Sequence, residues 1–121
     1  MQRLEIQGFT YSERHRTVPE LTLSAGRCGG QVLGSRVCSK ARMEFEVEIP
    51  LDGAVEFYLS MMAAGVELTR RAHLALHDLC TCRKHSRSEA ELGRVVEVRM
   101  EITFLAEKKA VAVPEGVLVM A

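Results

Sequence analysis

Between residues 42 and 49, Met43, Phe45, Val47 and Ile49 alternate with Arg42, Glu44, Glu46 and Glu48. A period of two puts each set on its own face of a strand, one face toward a core and the other toward water. The same alternation returns over residues 94–106, where Val96, Val98, Met100, Ile102 and Phe104 interleave with Glu97, Arg99, Glu101 and Thr103. A shorter version, Leu4 and Ile6 against Glu5 and Gln7, marks a first strand over residues 3–9, with Gly8 inside it.

Between the first strand and residue 42 the pattern is less regular. Residues 10–17 are polar and aperiodic, and Val18-Pro19-Glu20 follows. Proline suits the first turn of a helix and glutamate its positive end, which predicts a short helix over residues 19–27. Leu21, Leu23 and Ala25 alternate, so a strand is the competing assignment. Gly29-Gly30 ends either element and allows a tight reversal into an extended stretch over residues 31–37.

After Pro50, Asp52 is placed to cap a helix starting near Ala54. Val55, Tyr58, Met61, Met62 and Val66 recur at helical spacing, and Leu68, Ala72, Ala75, Leu76 and Leu79 continue it. The apolar stripe turns by roughly 70° between the two sets, more than one straight helix needs, so of one long helix or two joined at Gly65 the expectation is a kink or a break there, with Thr69 as the new cap if the helix ends. Residues 84–92 read as an exposed connection. The tail, with Ala110 to Val113 and Val117 to Met120 around a Pro-Glu-Gly turn, is apolar enough to add an edge strand or to pack on a neighbour.

With residues 19–27 helical, the order becomes β-α-β-β-α-β. The expected class is α+β, a ferredoxin-like split sandwich with an antiparallel sheet, helices on one face and an extra C-terminal strand. Fully parallel sheets bury both faces and would lack the alternating Glu and Arg seen here. At 121 residues, one domain covering residues 1–121 is expected.

Composition narrows the function classes. Sixteen basic residues balance sixteen acidic ones, so neither nucleic acid nor an anionic membrane is an expected partner. No apolar stretch approaches the ~20 residues of a membrane span and no secretory leader is read at the start, so the expectation is a soluble, cytoplasmic protein with its four cysteines reduced. Charge placement says more than the total. Residues 42–67 hold six carboxylates (Glu44, Glu46, Glu48, Asp52, Glu56, Glu67) against Arg42, a net of −5. Residues 70–87 hold five cations (Arg70, Arg71, Arg83, Lys84, Arg87) against Asp78, a net of +4. Opposite patches and an apolar tail favour pairing with a second copy, a homodimer; the alternative is that the patches meet within one chain.

The densest chemistry lies in residues 70–87. On a helix His73, His77 and Cys80 are spaced i, i+4, i+7 and share a stripe, a donor set that suits Zn²⁺. The competing reading puts both histidines on the solvated flank of a helix whose leucines face the core. No nucleophile elbow, phosphate loop or dinucleotide fingerprint is present, and no catalytic residue is identified. Glu44, Glu46 and Glu48 share a strand face but read as a solvated row.

The segment from Leu21 through Gly29-Gly30-Gln31-Val32-Leu33 into the strand ending at Ile49 resembles the middle of ACT and ACT-like domains. That resemblance implies a small regulatory module of ferredoxin-like fold, which pairs with itself and binds amino acids or similar ligands near the first strand-helix turn, here Gly8, Phe9 and Thr10. Gly29 and Gly30 join that candidate ligand site because backbone amides free of Cβ crowding can approach a carboxylate. The leading expectation is therefore a stand-alone small-molecule-binding or regulatory module that self-associates, not an enzyme and without a cofactor. The alternatives are a zinc-binding protein using His73, His77 and Cys80, and a protein-interaction subunit.

Overall fold

The computed structural model describes residues 2–106. Strand β1 (Gln2–Thr10) leads into α1 (Arg14–Arg27), then the hairpin β2 (Gln31–Ser39) and β3 (Arg42–Pro50). A single 3₁₀ turn, Leu51–Gly53, precedes α2 (Ala54–Ala63), the two-residue β4 (Glu67–Leu68), α3 (Arg70–His85), the one-turn α4 (Glu89–Leu92) and β5 (Val95–Phe104).

The five strands form one sheet in the order β2-β3-β5-β1-β4. β5 runs parallel to β1 and antiparallel to β3, and the two remaining pairings are antiparallel. The sheet is therefore mixed, which corrects the antiparallel sheet expected from the alternating strands. One-sided strands do exclude a sheet covered on both faces; they carry no information on direction. β3 and β5 are antiparallel neighbours, yet the chain between them runs out through α2 to β4 beyond β1 and back through α3 and α4. Leaving β5 aside, the other strands keep the order β4-β1-β3-β2. The expected extra C-terminal strand falls on residues outside those described.

The sheet buries one face. Leu4 and Ile6 of β1, Met43, Phe45, Val47 and Ile49 of β3, and Val96, Val98, Met100, Ile102 and Phe104 of β5 share one core with Leu21 and Ala25 of α1, Phe57 and Met61 of α2, and Ala72, Leu76 and Leu79 of α3. The helices lie on this side: α3 packs on β1, α1 on β2 and β3, and α2 on β3.

Residues 18–27 are helical, and the helix starts earlier than the sequence pattern indicates. Its first turn, from Arg14, takes up part of the polar stretch, and Pro19 sits inside it on the exposed side. There water can satisfy the carbonyl that lacks an amide partner. Arg14 ties this end to the β2–β3 turn by donating to the carbonyls of Ser39 and Lys40, and its guanidinium lies 5.3 Å from the ring centre of Phe104. At the other end Gly29 takes φ +86°, a left-handed turn that glycine adopts without a Cβ clash.

The expected break at Gly65 is present, also with φ +86°, and Thr69 caps α3 by accepting from the amide of Ala72 at 3.2 Å. Asp52 does not cap α2. Gly53 holds that position, while Asp52, in the 3₁₀ turn, accepts from Arg83 at 3.3 Å. That ion pair joins one acidic and one basic patch residue within the chain. Residues 84–92 are not wholly a connection, because Ser88 and Glu91 form a capping box that closes α4.

Gly30 is a close approach. A Cβ there would lie 2.1 Å from the carbonyl oxygen of Glu48, whereas one at Gly34 would meet nothing within 4 Å. Gly30→Ala should therefore cost about 3 kcal/mol of unfolding free energy and Gly34→Ala less than about 1 kcal/mol, read by urea denaturation.

Candidate functional site

Among the described residues, no helix covers the second face of the sheet, which carries side chains of both signs. Strand register sets them in rows: Gln7, Glu101, Glu44 and Arg36 across β1, β5, β3 and β2; then Glu5, Arg99, Glu46 and Gly34; then Arg3, Glu97, Glu48 and Gln31. Glu44 and Glu101 oppose each other directly, as do Glu48 and Glu97, an arrangement that repels unless cations intervene. The cations are present. Arg36 and Arg99 lie 3.0 and 3.9 Å from Glu44, Arg42 lies 3.7 Å from Glu101, and Arg3 lies 3.8 Å from Glu97. Gln31 donates to Glu48 at 2.6 Å. Exposed pairs of this kind contribute only about 0–1 kcal/mol each, so their consequence is orientation of the carboxylates more than stability.

Helix α3 turns this face into a trough. β4 pairs with Gly8 and Phe9 of β1 alone, and along the rest of that edge the neighbouring element is α3. Its Ala72, Leu76 and Leu79 enter the core. Arg71, Leu74, Ala75 and Asp78, spaced i, i+3, i+4, i+7, form a second stripe along the polar side. Between that stripe and the floor of Glu5, Gln7, Glu44, Arg99 and Glu101 lies a cavity of about 520 Å³. At Gln7, Thr69 and Glu101 it continues into a cavity of about 530 Å³ that Gly8, Phe9, Arg42 and Thr103 also line. At Glu44 and Arg99 it continues into another of about 360 Å³ beside Gly34, Arg36 and Glu46.

The centre of the trough is the Glu44–Arg99 pair. The Glu44 side chain keeps 17% of its exposure although it stands on the open face. Arg99 Nε is withdrawn from solvent and makes no hydrogen bond among the described residues, its 3.9 Å separation from Glu44 being an ion-pair distance only. A shielded N–H without an acceptor costs free energy that a bound acceptor would recover.

The sequence-derived ligand residues fall in different places. Gly8 and Phe9 line the end of the trough near β4. Thr10 is buried, and its hydroxyl accepts from the amide of Ser12 at 3.1 Å. Gly29 and Gly30 line a separate cavity of about 360 Å³ with Glu48, Pro50 and Gly93. Gly8 aligns through Ile102 with Met43, and Gly30 lies against Ile49, so the two groups are separated by six residues of β3, roughly 20 Å.

His73, His77 and Cys80 are all on α3 as expected, but the structure gives them separate surroundings. His73 Nδ1 is 2.6 Å from the hydroxyl of Tyr58 on α2, His77 is exposed, and Cys80 is half-buried. Among the described residues no three His, Cys, Asp or Glu side chains converge as a metal would need. Sequence reasoning missed the trough because it set aside the strand glutamates as a solvated row. The stripe Arg71, Leu74, Ala75 and Asp78 was a readable signal, but the side of the sheet it faces follows from the sheet order.

Among the described residues no helix is long and apolar enough to cross a membrane. No family model, no curated protein and no solved structure matches the chain.

All four cysteines are free thiols. Burial, with the Glu56 carboxylate adding to it, pushes the Cys28 thiol from 9.0 up to about 11, and burial also raises Cys80. Raised values keep the protonated, unreactive form at neutral pH. Alkylation with iodoacetamide at about pH 8 should modify the exposed Cys38 and Cys82 first, Cys80 later and Cys28 on unfolding. The same shift has a stability consequence. The unfolded thiol loses its proton first, so the contribution of Cys28 is complete below about pH 9 and is lost as pH rises through about 11.

Proposed function

We propose that the chain is a binding module for a small zwitterion, an amino acid or a close relative, held in the trough between the polar sheet face and α3. The observation that carries this reading is Arg99, whose shielded Nε lacks an acceptor among the described residues, at the floor of a cavity lined by both signs of charge. A ligand carboxylate would complete Arg99 from one side with Arg71 on the wall, and its ammonium would meet Glu5 and Asp78. Four carboxylates (Glu5, Glu44, Asp78, Glu101) face two arginines in the lining, so a ligand with at least one cationic group is favoured over a simple anion.

Two further features support a regulatory, ACT-like character. With β5 set aside, the order β4-β1-β3-β2 and its alternating directions are those of a ferredoxin-like unit, of which this fold would be a variant. Gly8 and Phe9, near the end of the first strand that leads into α1, open onto the trough. The lining offers charge and hydrogen bonds, and the module binds its ligand without transforming it.

The test is a thermal-shift series with each standard amino acid at about 10 mM. A ligand present at about 100 times its dissociation constant adds about 2.7 kcal/mol and should raise the melting temperature by about 5 °C or more. Arg71→Glu, an exposed wall substitution, should abolish that rise while moving the ligand-free melting temperature by no more than about 2 °C. If no amino acid shifts the melting temperature, the reading fails.

A further inference from the structure

The two edges of the sheet are treated differently. The β1 side is closed by β4 and flanked by α3, whereas β2, among the described residues, runs for nine residues as an edge along which only Val32 is even half-buried. Edge strands are usually guarded by proline, short length or several charges. β2 has no proline and one charged residue, Arg36, and it exposes Leu33 and Val37 at 49% and 57%. Register shifts at Leu33 and Cys38 bracket residues 34–37, which pair regularly with β3.

We infer that this edge receives the β2 strand of a second copy, antiparallel and centred on Ser35, so that two chains share one ten-stranded sheet. A two-fold axis through Ser35 sets each Arg36 opposite the partner's Gly34 and each Val37 opposite the partner's Leu33, which covers the exposed apolar side chains of both copies. It also matches charge. Gly34 leaves an open lane on the polar face, since a Cβ there would meet nothing within 4 Å. The next residue across that lane is Glu46, the register partner of Gly34 on β3.

Two strand spacings are about 10 Å, a distance that extended arginine and glutamate side chains span together. The cavity beside Gly34, Glu44, Glu46 and Arg99 is where the incoming guanidinium would lie. The partner's Arg36 would thus extend the row Glu5, Arg99, Glu46 and close the β2 end of the trough. This interface does not depend on the identity of the trough ligand.

Sedimentation velocity of the full chain at about 100 µM should show a dimer, and Arg36→Glu should weaken it by about tenfold or more. Adding Glu46→Arg to that variant should restore pairing, a rescue that loss of the within-chain Arg36–Glu44 contact would not produce. A second readout does not rely on affinity. In a Cys38→Ser, Cys82→Ser background, Ser35→Cys should form an intermolecular disulfide in a glutathione buffer, because opposed antiparallel residues have Cα separations within disulfide range. Glu20→Cys on the exposed side of α1 should not. A wild-type monomer overturns the proposal, as does a dimer indifferent to Arg36→Glu or equal cross-linking at positions 20 and 35.

Discussion

The structure depends on one strand, the last of those described. β5 pairs with β1 from Gln2 to Thr10 and with β3 from Arg42 to Pro50, and its five inward side chains, Val96 through Phe104, are each at most 1% exposed. The N-terminal strand and the β2–β3 hairpin have no direct pairing; they belong to one sheet because β5 lies between them. The central pairings therefore join residues about ninety positions apart in the β1–β5 case, as in Gly8 with Ile102. Closing such loops before they are rewarded by burial makes this a high-contact-order fold, slow to form relative to a helical bundle of equal length.

That placement also shapes the site. Between β3 and β5 the chain goes out to β4 at the β1 edge and must return along the sheet before entering β5, and α3 is the long element of that return. The return runs at the β1 edge, where a two-residue β4 leaves room for a helix to stand beside the strand. The core takes Ala72, Leu76 and Leu79, which fixes the rotation of α3 and thereby presents Arg71, Leu74, Ala75 and Asp78 to the polar side. The trough is thus a consequence of topology and helix phase acting on ordinary surface residues. Its central arginine gains its character from neighbours on three elements: Glu44 on β3, Glu5 on β1, and the α3 wall.

What could be read from the residues and what could not divides along the same line. The alternation at Met43 to Ile49 and Val96 to Phe104 identified both central strands and their buried faces, because period two is a local property of the chain. The stripe shift and Gly65 located the α2–α3 break for the same reason. Strand direction and order are long-range: nothing local distinguishes a β5 inserted beside β1 from one added at an edge. The start of α1 at Arg14 was hidden because its first turn has no apolar periodicity and is held by the tertiary contact of Arg14 with the β2–β3 turn. Of the candidate site, Gly8 and Phe9 were expected in the first strand-helix turn, but β1 continues through them to Thr10 because β4 and β5 pair with them. Arg99 was legible only as one outward residue among several, since its shielding comes from strands far away in sequence. His73, by contrast, looked like a ligand beside His77, and its neighbour proved to be Tyr58, fifteen residues earlier on another helix.

The uneven edges follow from the same topology. A sheet that buries one face on three helices can protect an edge only where a helix or strand reaches it, and the connection from β3 to β5 brings α3 and β4 to the β1 side. α1 and α2 are committed to the region over β2, β3 and each other, yet Leu33 and Val37 stay largely exposed, so the helical layer covers β2 only in part. Among the described residues, that edge has only its own side chains for protection. Its own residues provide two bulges and one charge, and between the bulges the backbone of residues 34–37 keeps the regular geometry that another strand requires. Because Gly34 and Arg36 stand on the polar face beside Glu46 and Glu44, whatever strand pairs there also meets the row of charges that runs to Arg99. The edge and the trough are therefore one continuous surface.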